Sequence, residues 1–274
     1  MISSGNILKI KGRISSIPIR QIPEPFCKKC MNIEEKKKEL CSECESPIFI
    51  DNWHFNKVKA LGIYNSYEHN GYKVPINILS ELIYNLKFRR KKPKKAAGKI
   101  IADGLFQIFQ QNANLFQDTA YLAISPKYKG ALEDNNCFHI IKPLLEKMEK
   151  SGFNIQNIAN NTERIKDVGD NKIKNKERRF KDINGVHQIN LEDLGGKKVL
   201  IIDDVFATGS TVWDLSRALK EKNAGEINVL VAGRYCLFNE WPIKQLKYQG
   251  LSFNTLLLYF SQLDMDLKRL LSNF

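Results

Sequence analysis

The stretch Lys197–Leu215, KKVLIIDDVFATGSTVWDL, constrains the fold more than any other part of the chain. Four apolar residues, Val199 to Ile202, run straight into two adjacent acids, Asp203 and Asp204. A carboxylate at the end of a buried strand is costly unless something pairs with it. In open α/β sheets ligands sit beyond the carboxyl ends of the strands, so the two acids point to a ligand. Ala207, Thr208, Gly209, Ser210 and Thr211 follow, just ahead of an expected helix. Small residues let a backbone approach a ligand closely, N–H groups at a helix start favour a phosphate, and hydroxyls add donors. One loop for a phosphate, with acids beside it for polyhydroxyl groups or a metal on the same molecule, fits a sugar phosphate. The loop lacks the Gly-Lys-Ser/Thr of a Walker A sequence and the three-glycine spacing of a dinucleotide fingerprint. The plainer alternative is a strand end with Asp204 or Thr208 capping the next helix.

The rest of the chain alternates strand and helix patterns. VKALGIYNSY (58–67) reads as a strand leading to a turn at HNG, and PINILSELIYNLK (75–87) as a helix with Pro75 in its first turn. Helices are expected near 95–112, 137–151 and 210–222, and strands at 120–125, FNIQNIA, HQIN, 198–203 and INVLVAGRYC. Residues 160–185 are polar, charged and without periodicity, and read as a long loop, either mobile or a lid. The tail ends in LDMDLKRLLSNF, a short helix by pattern. This alternation predicts an α/β fold: a mostly parallel sheet flanked by helices.

Cys27, Cys30, Cys41 and Cys44 are spaced C-x2-C-x10-C-x2-C. Two such knuckles place four thiolates tetrahedrally around Zn²⁺, and four ligands leave no open position, so the metal is expected to be structural. A redox pair in either knuckle is the alternative. Trp53, Phe55 and Tyr64 are expected to pack this zinc-ribbon-like module onto the main domain. Residues 1–55 would then form the N-terminal segment with its zinc module, 56–238 the main domain and 239–274 an extension packed on it. His54, His69, His139 and His187 show no ligand spacing and read as structural.

The chain has 274 residues and a formal net charge of +13. That excess favours polyanions, such as phosphorylated small molecules or single-stranded nucleic acid, although a Lys- and Asn-rich composition alone also produces it. Arg89 to Lys95 is a dense basic run, read either as a solvated turn or as a phosphate-contacting segment. Lys127 and Lys129 follow the strand at 120–125 and can enter the site from a neighbouring strand end. No apolar run approaches the ~20 residues of a membrane span, and the N-terminus has no continuous apolar stretch of a signal peptide, so a cytoplasmic protein without a membrane partner is expected.

VLIIDDVFATGST resembles the phosphoribosyl-pyrophosphate (PRPP) binding motif of type I phosphoribosyltransferases. The resemblance implies that fold, with Asp203 and Asp204 on the ribose hydroxyls and Ala207 to Thr211 around the 5′-phosphate. It also implies Mg²⁺ held chiefly by PRPP itself. A four-cysteine knuckle ahead of such a domain is similar to the competence-associated ComF family, which is amidophosphoribosyltransferase-like and linked to DNA uptake. LIYNLKFRRKKP resembles the family's Leu-Lys-Tyr-Arg segment, implying Lys87 and Arg89 on pyrophosphate. KERRFKDINGVHQI resembles the segment preceding the PRPP strand, implying Arg178 or Arg179 in a closing loop. Asp182 stands where that family has Asn and His187 where it has Phe. The implied activity is Mg²⁺-dependent transfer of a phosphoribosyl group to an unknown acceptor, with release of pyrophosphate. The alternative is a non-catalytic protein of the ComF type that senses PRPP or a nucleotide and binds nucleic acid. No catalytic base is identified by either reading, and a homodimer is compatible with both.

Overall fold

The computed structural model describes residues 7–11, 16–20, 27–31, 53–64, 66–69, 72–75, 77–88, 91–169 and 176–235. Its centre is a five-stranded sheet of β3 (Lys57–Tyr64), β6 (Thr119–Ile124), β7 (Gln156–Asn157), β10 (Lys198–Phe206) and β11 (Ile227–Tyr235), in the order β3-β11-β10-β6-β7. Every pairing in it is parallel, so all five strands end at the same edge. Three antiparallel two-stranded pairs accompany it among the described residues: β1 (Ile7–Lys11) with β2 (Ser16–Arg20), β4 (Ser66–His69) with β5 (Tyr72–Pro75), and β8 (Thr162–Arg164) with β9 (His187–Ile189).

Parallel sheets must be covered on both faces. The side-chain alternation of β10 does this: Leu200 and Ile202 enter one core, and Val199 and Ile201 the other. The first core is closed by three helices, α1 (Ile78–Phe88), α2 (Lys91–Gln111) and α4 (Phe138–Lys150); the short α3 (Ala113–Phe116) adds Phe116. The second is closed by α6 (Ser210–Lys220) through Val212, Leu215, Ala218 and Leu219. Cys27, Cys30, Met31 and Phe55 lie in this second core, with Trp53 against it. Tyr64, expected beside the cysteines, packs instead on the first core, because it sits one residue out of phase with Ile63 on β3.

Several boundaries differ from the sequence reading. Pro75 ends β5 rather than starting a helix. The helix start belongs to Asn77, whose Oδ1 accepts the Ser80 N–H at 2.7 Å and whose Nδ2 donates to Ile63 O at 3.2 Å. This cap ties the start of α1 to the end of β3. The basic run is not a turn throughout: residues 91–95 form the first turn of α2, where the missing N–H of Pro93 would have had no partner anyway. FNIQNIA shrinks to the two residues of β7. The stretch 160–185 is not a structureless loop. It contains β8 and α5 (Lys176–Ile183), which presents Phe180 and Ile183 one turn apart to the core, both buried. Two apolar residues are too few to give a visible period in so charged a segment. Among the described residues no helix is long and apolar enough to cross a membrane. The tail from 239 lies outside the described residues.

Candidate functional site

The carboxyl ends of β6 and β10 and the C-terminus of α1 meet at one point. Lys87, in the last turn of α1, places its Nζ 3.0 Å from Asp204 Oδ1. The acids do have a partner in the chain itself. Asp203 Oδ1 accepts the Asp204 N–H at 2.8 Å, and the Cys137 thiol, at the start of α4, reaches the same oxygen at 3.9 Å. Asn135 fixes that corner: its Oδ1 accepts the Cys137 N–H at 2.9 Å and its Nδ2 donates to Ser125 O at 2.7 Å. One polar network thus runs from β6 through the start of α4 to β10 and α1.

The electrostatics follow from this enclosure. Burial, then the charge of Asp204, pushes the Asp203 carboxyl from 3.8 up to about 7, despite Lys87 nearby. Burial and the two acids push the Cys137 thiol well above its usual value, so it stays protonated and serves as a donor, not as a nucleophile. Burial opposes the Lys87 ammonium, but the charge and hydrogen bond of Asp204 outweigh it and hold the proton more firmly than usual. At neutral pH the site therefore holds a firmly charged Lys87 near an Asp203 carboxyl that resists full ionisation.

β10 runs on past the acids to Phe206, and the loop then turns at Gly209, with φ 81° and ψ 2°, into α6. Gly209 occupies the N-cap position that the capping alternative gave to Asp204 or Thr208. The position requires glycine twice over: φ lies in the left-handed region, and a Cβ would sit 2.5 Å from Phe206 Cζ. Thr208 Oγ1 and Ser210 Oγ lie 3.1 Å apart, and Thr208, Ala207 and Thr211 are partly exposed. The loop is held from below by Arg234, whose Nη1 donates to Phe206 O at 2.9 Å and Ala207 O at 2.7 Å. Its Nε donates to Cys30 O at 2.9 Å. The arginine is itself almost completely buried. A helix start with small residues, partly exposed hydroxyls and a rigid floor can hold a phosphate group.

Residues 156–234 match the phosphoribosyl transferase domain family. No curated protein matches the chain. Among solved structures, a hypoxanthine phosphoribosyltransferase from Staphylococcus aureus is similar at 15% identity and a TM-score of 0.29, over 48% of this chain and 61% of that one. The match spans less than two thirds of that enzyme's length. The matched segment of this chain runs from β7 through the acid pair and the loop 207–211 to β11.

The structure brings Lys87, Asp203, Asp204 and the loop 207–211 to one edge of the sheet. Arg89, Cys41 and Cys44 lie outside the described residues. Cys27 and Cys30 are both buried in a tight turn, with Met31 N–H donating to Cys27 O at 2.9 Å. Among the described residues no three His, Cys, Asp or Glu side chains are grouped to hold a metal ion. Arg178 stands on α5 with its side chain 71% exposed, 4.0 Å from Asp182. α5 is tied to α6 by an edge-on contact of Phe180 with Trp213 at 5.4 Å, so Arg178 and Arg179 belong to a packed helix rather than a loose loop. Lys127 and Lys129 are exposed in the segment after β6.

Two residues that sequence reasoning passed over, Ser125 and Asp214, bracket His187, which it read as structural. Ser125 Oγ lies 2.8 Å from His187 Nε2, and Asp214 Oδ2 lies 2.8 Å from His187 Nδ1. The three residues are 62 and 27 positions apart in sequence, so no local motif links them.

Proposed function

We propose that the chain binds PRPP with Mg²⁺ and transfers its phosphoribosyl group to a protic acceptor with release of pyrophosphate. The observation that carries this reading is the convergence, at the end of β10, of the acid pair, Lys87 and the Gly209 turn into α6. Asp203 and Asp204 would accept hydrogen bonds from the ribose 2′- and 3′-hydroxyls, and Ala207 to Thr211 would wrap the 5′-phosphate. Lys87 would leave Asp204 to meet the pyrophosphate, with Arg89 beside it and Arg178 or Arg179 at the rim. Mg²⁺ would be held chiefly by PRPP oxygens, supplying charge neutralisation for the leaving pyrophosphate. The match of residues 156–234 to the phosphoribosyl transferase domain family supports the same reading. The Cys27–Cys30 turn would be one knuckle of a structural zinc site, with Cys41 and Cys44 as the other, as in the ComF family. On this reading residues 1–55, 56–238 and 239–274 are the module, the transferase-like domain and its extension.

Calorimetry with Mg²⁺–PRPP tests the proposal. Wild-type protein should bind, and Asp203→Ala and Asp204→Ala should each lose roughly 10- to 100-fold in affinity, the worth of a charge-assisted hydrogen-bond partner. Equal affinity in all three proteins would sink the reading.

A second reading has its own support. The net charge is +13, and α2 opens on Lys91, Lys92, Lys94 and Lys95 with no acid in its first turn. Cations at the positive end of a helix are unfavourable unless an anion offsets them. A nucleic-acid-binding role alongside or instead of transfer predicts single-stranded DNA binding that weakens steeply with salt. Absence of binding at low ionic strength would remove it.

A further inference from the structure

His187 opens β9 with its ring fully buried, as is the carboxylate of Asp214. Asp214 accepts backbone N–H groups from Gly185 at 2.8 Å, Val186 at 3.0 Å and His187 at 2.8 Å, and the Arg217 Nε–H at 2.8 Å. Burial would raise this acid, but the His187 and Arg217 hydrogen bonds and the backbone donors outweigh it and hold it down to about 2. Beside an ionised carboxylate, His187 Nδ1 must carry a proton, because two acceptors cannot share a bond. Burial, with Arg164 and Arg217 nearby, disfavours a second proton on the ring and prevails over Asp214. Nε2 is then an acceptor, and the only orientation that makes the 2.8 Å contact a hydrogen bond is Ser125 O–H donating to it.

The place of this hydroxyl matters as much as its partners. Ile124, the last residue of β6, pairs with Ile202 of β10, so Ser125 just past β6 and Asp203 on β10 are the residues that follow this pair. Adjacent strands are about 4.8 Å apart. Asn135 binds Ser125 O, and through Cys137 the same network reaches Asp203. The hydroxyl ends the relay at the sheet edge that carries the acid pair, ahead of the segment bearing Lys127 and Lys129.

We propose that Ser125, His187 and Asp214 form a proton-accepting relay for this site, with Ser125 as the catalytic hydroxyl and His187 and Asp214 as positioning residues. The electrophile in this step rests on the PRPP reading. An amine or hydroxyl acceptor attacks C1 of the ribose, the bond from C1 to pyrophosphate oxygen breaks, and pyrophosphate leaves with the electron pair. The acceptor's proton passes to Ser125 Oγ as the Ser125 proton passes to His187 Nε2. Asp214 then faces an imidazolium. The relay supplies a base while Asp203 and Asp204, on the PRPP reading, are engaged with the ribose hydroxyls.

An activated serine hydroxyl displaces fluoride from a fluorophosphonate, forming a Ser–O–P bond, so the relay can be tested without the acceptor. Mass spectrometry of the treated protein should show one adduct, on Ser125. The adduct should be absent in Ser125→Ala and form about 100-fold more slowly in His187→Gln, the usual worth of a general base. Its rate in wild type should rise with pH to a plateau with a midpoint below 6.5, and this midpoint should disappear in His187→Gln. Saturating Mg²⁺–PRPP should slow labelling. No adduct, or equal rates in wild type and His187→Gln, would overturn the relay. Unchanged labelling in the presence of calorimetrically bound PRPP would also overturn it, by placing Ser125 outside the site. His187-dependent labelling with no PRPP binding would instead refute the PRPP reading and leave the activated serine standing. Should His187→Gln fail to fold, ring-nitrogen NMR shifts of wild type decide: the relay requires Nε2 unprotonated at neutral pH, and an Nε2–H form excludes it.

Discussion

At Gly209 the backbone takes a left-handed turn directly over the Phe206 ring, and no side chain fits there. Gly209→Ala should cost about 1–2 kcal/mol in stability from the backbone alone. It should also weaken Mg²⁺–PRPP binding at least ~10-fold, because the loop must shift to clear the ring. Thermal unfolding and calorimetry separate the two effects, and unchanged affinity would mean that this loop does not hold the phosphate. The acids make opposite contributions with pH. Asp214 titrates near 2 in the fold against 3.8 for an ordinary Asp, so its stabilisation is complete above about pH 4 and is lost as the pH falls through 2. Comparing wild type with Asp214→Asn in urea should show a gap of about 2 kcal/mol at neutral pH that closes toward pH 2. Asp203 is raised to about 7, so the unfolded chain gives up its proton first and stability is drained as the pH rises from about 4 to 7. Asp203→Asn should therefore raise the urea midpoint at pH 8 while weakening PRPP binding. The two acids and the loop were legible from sequence because they are contiguous. The proton relay was not, since its three members come from β9, α6 and the end of β6 and become neighbours only in the fold.

At the scale of elements, α2 and α4 cross at Gly98. A Cβ there would lie 2.3 Å from His139 O, and Lys147 of α4 pairs with Asp103 of α2 at 3.0 Å. Close packing of this kind tolerates no added methyl group, so Gly98→Ala should destabilise by about 1–3 kcal/mol with little effect on ligand affinity. Equilibrium denaturation reads the first part and calorimetry the second. Most strands and helices of the sheet and its first core follow from apolar periodicity, as at Leu79, Leu82, Ile83 and Leu86 of α1. The failures have local causes. Pro75 suits a helix start by residue type, but its place in the β4–β5 hairpin comes from pairing with Ser66. α5 was hidden because its core contact rests on Phe180 and Ile183 alone among six charged neighbours in KERRFKDI.

For the whole molecule, Arg234 is the joint between parts that the sequence presents 204 residues apart. It holds Cys30 O with one nitrogen and Phe206 O and Ala207 O with another, so the cysteine turn and the loop before α6 share one side chain. Arg234→Met should leave these carbonyls without their donor and cost about 3 kcal/mol or more. It should weaken PRPP binding and speed alkylation of Cys27 and Cys30 in the same protein. Arg234→Lys should not restore either property, since an ammonium cannot reproduce the fork. Alkylation rates unchanged by Arg234→Met would show that the joint carries no coupling.

The strand order has a consequence in time. Among the described strands β3 pairs only with β11 in the sheet, and the Ile227 N–H to Asn56 contact beside that pairing closes a span of 171 residues. On a ribosome adding about 5–20 residues per second, β3 waits roughly 10–30 s for its partner. Throughout that interval Ala60 and Leu61, on opposite faces of the same strand, have no sheet to enter. Among the described strands the last to be made is thus the one that lies between β3 and β10, so β3 joins the sheet in a late step rather than as the chain grows.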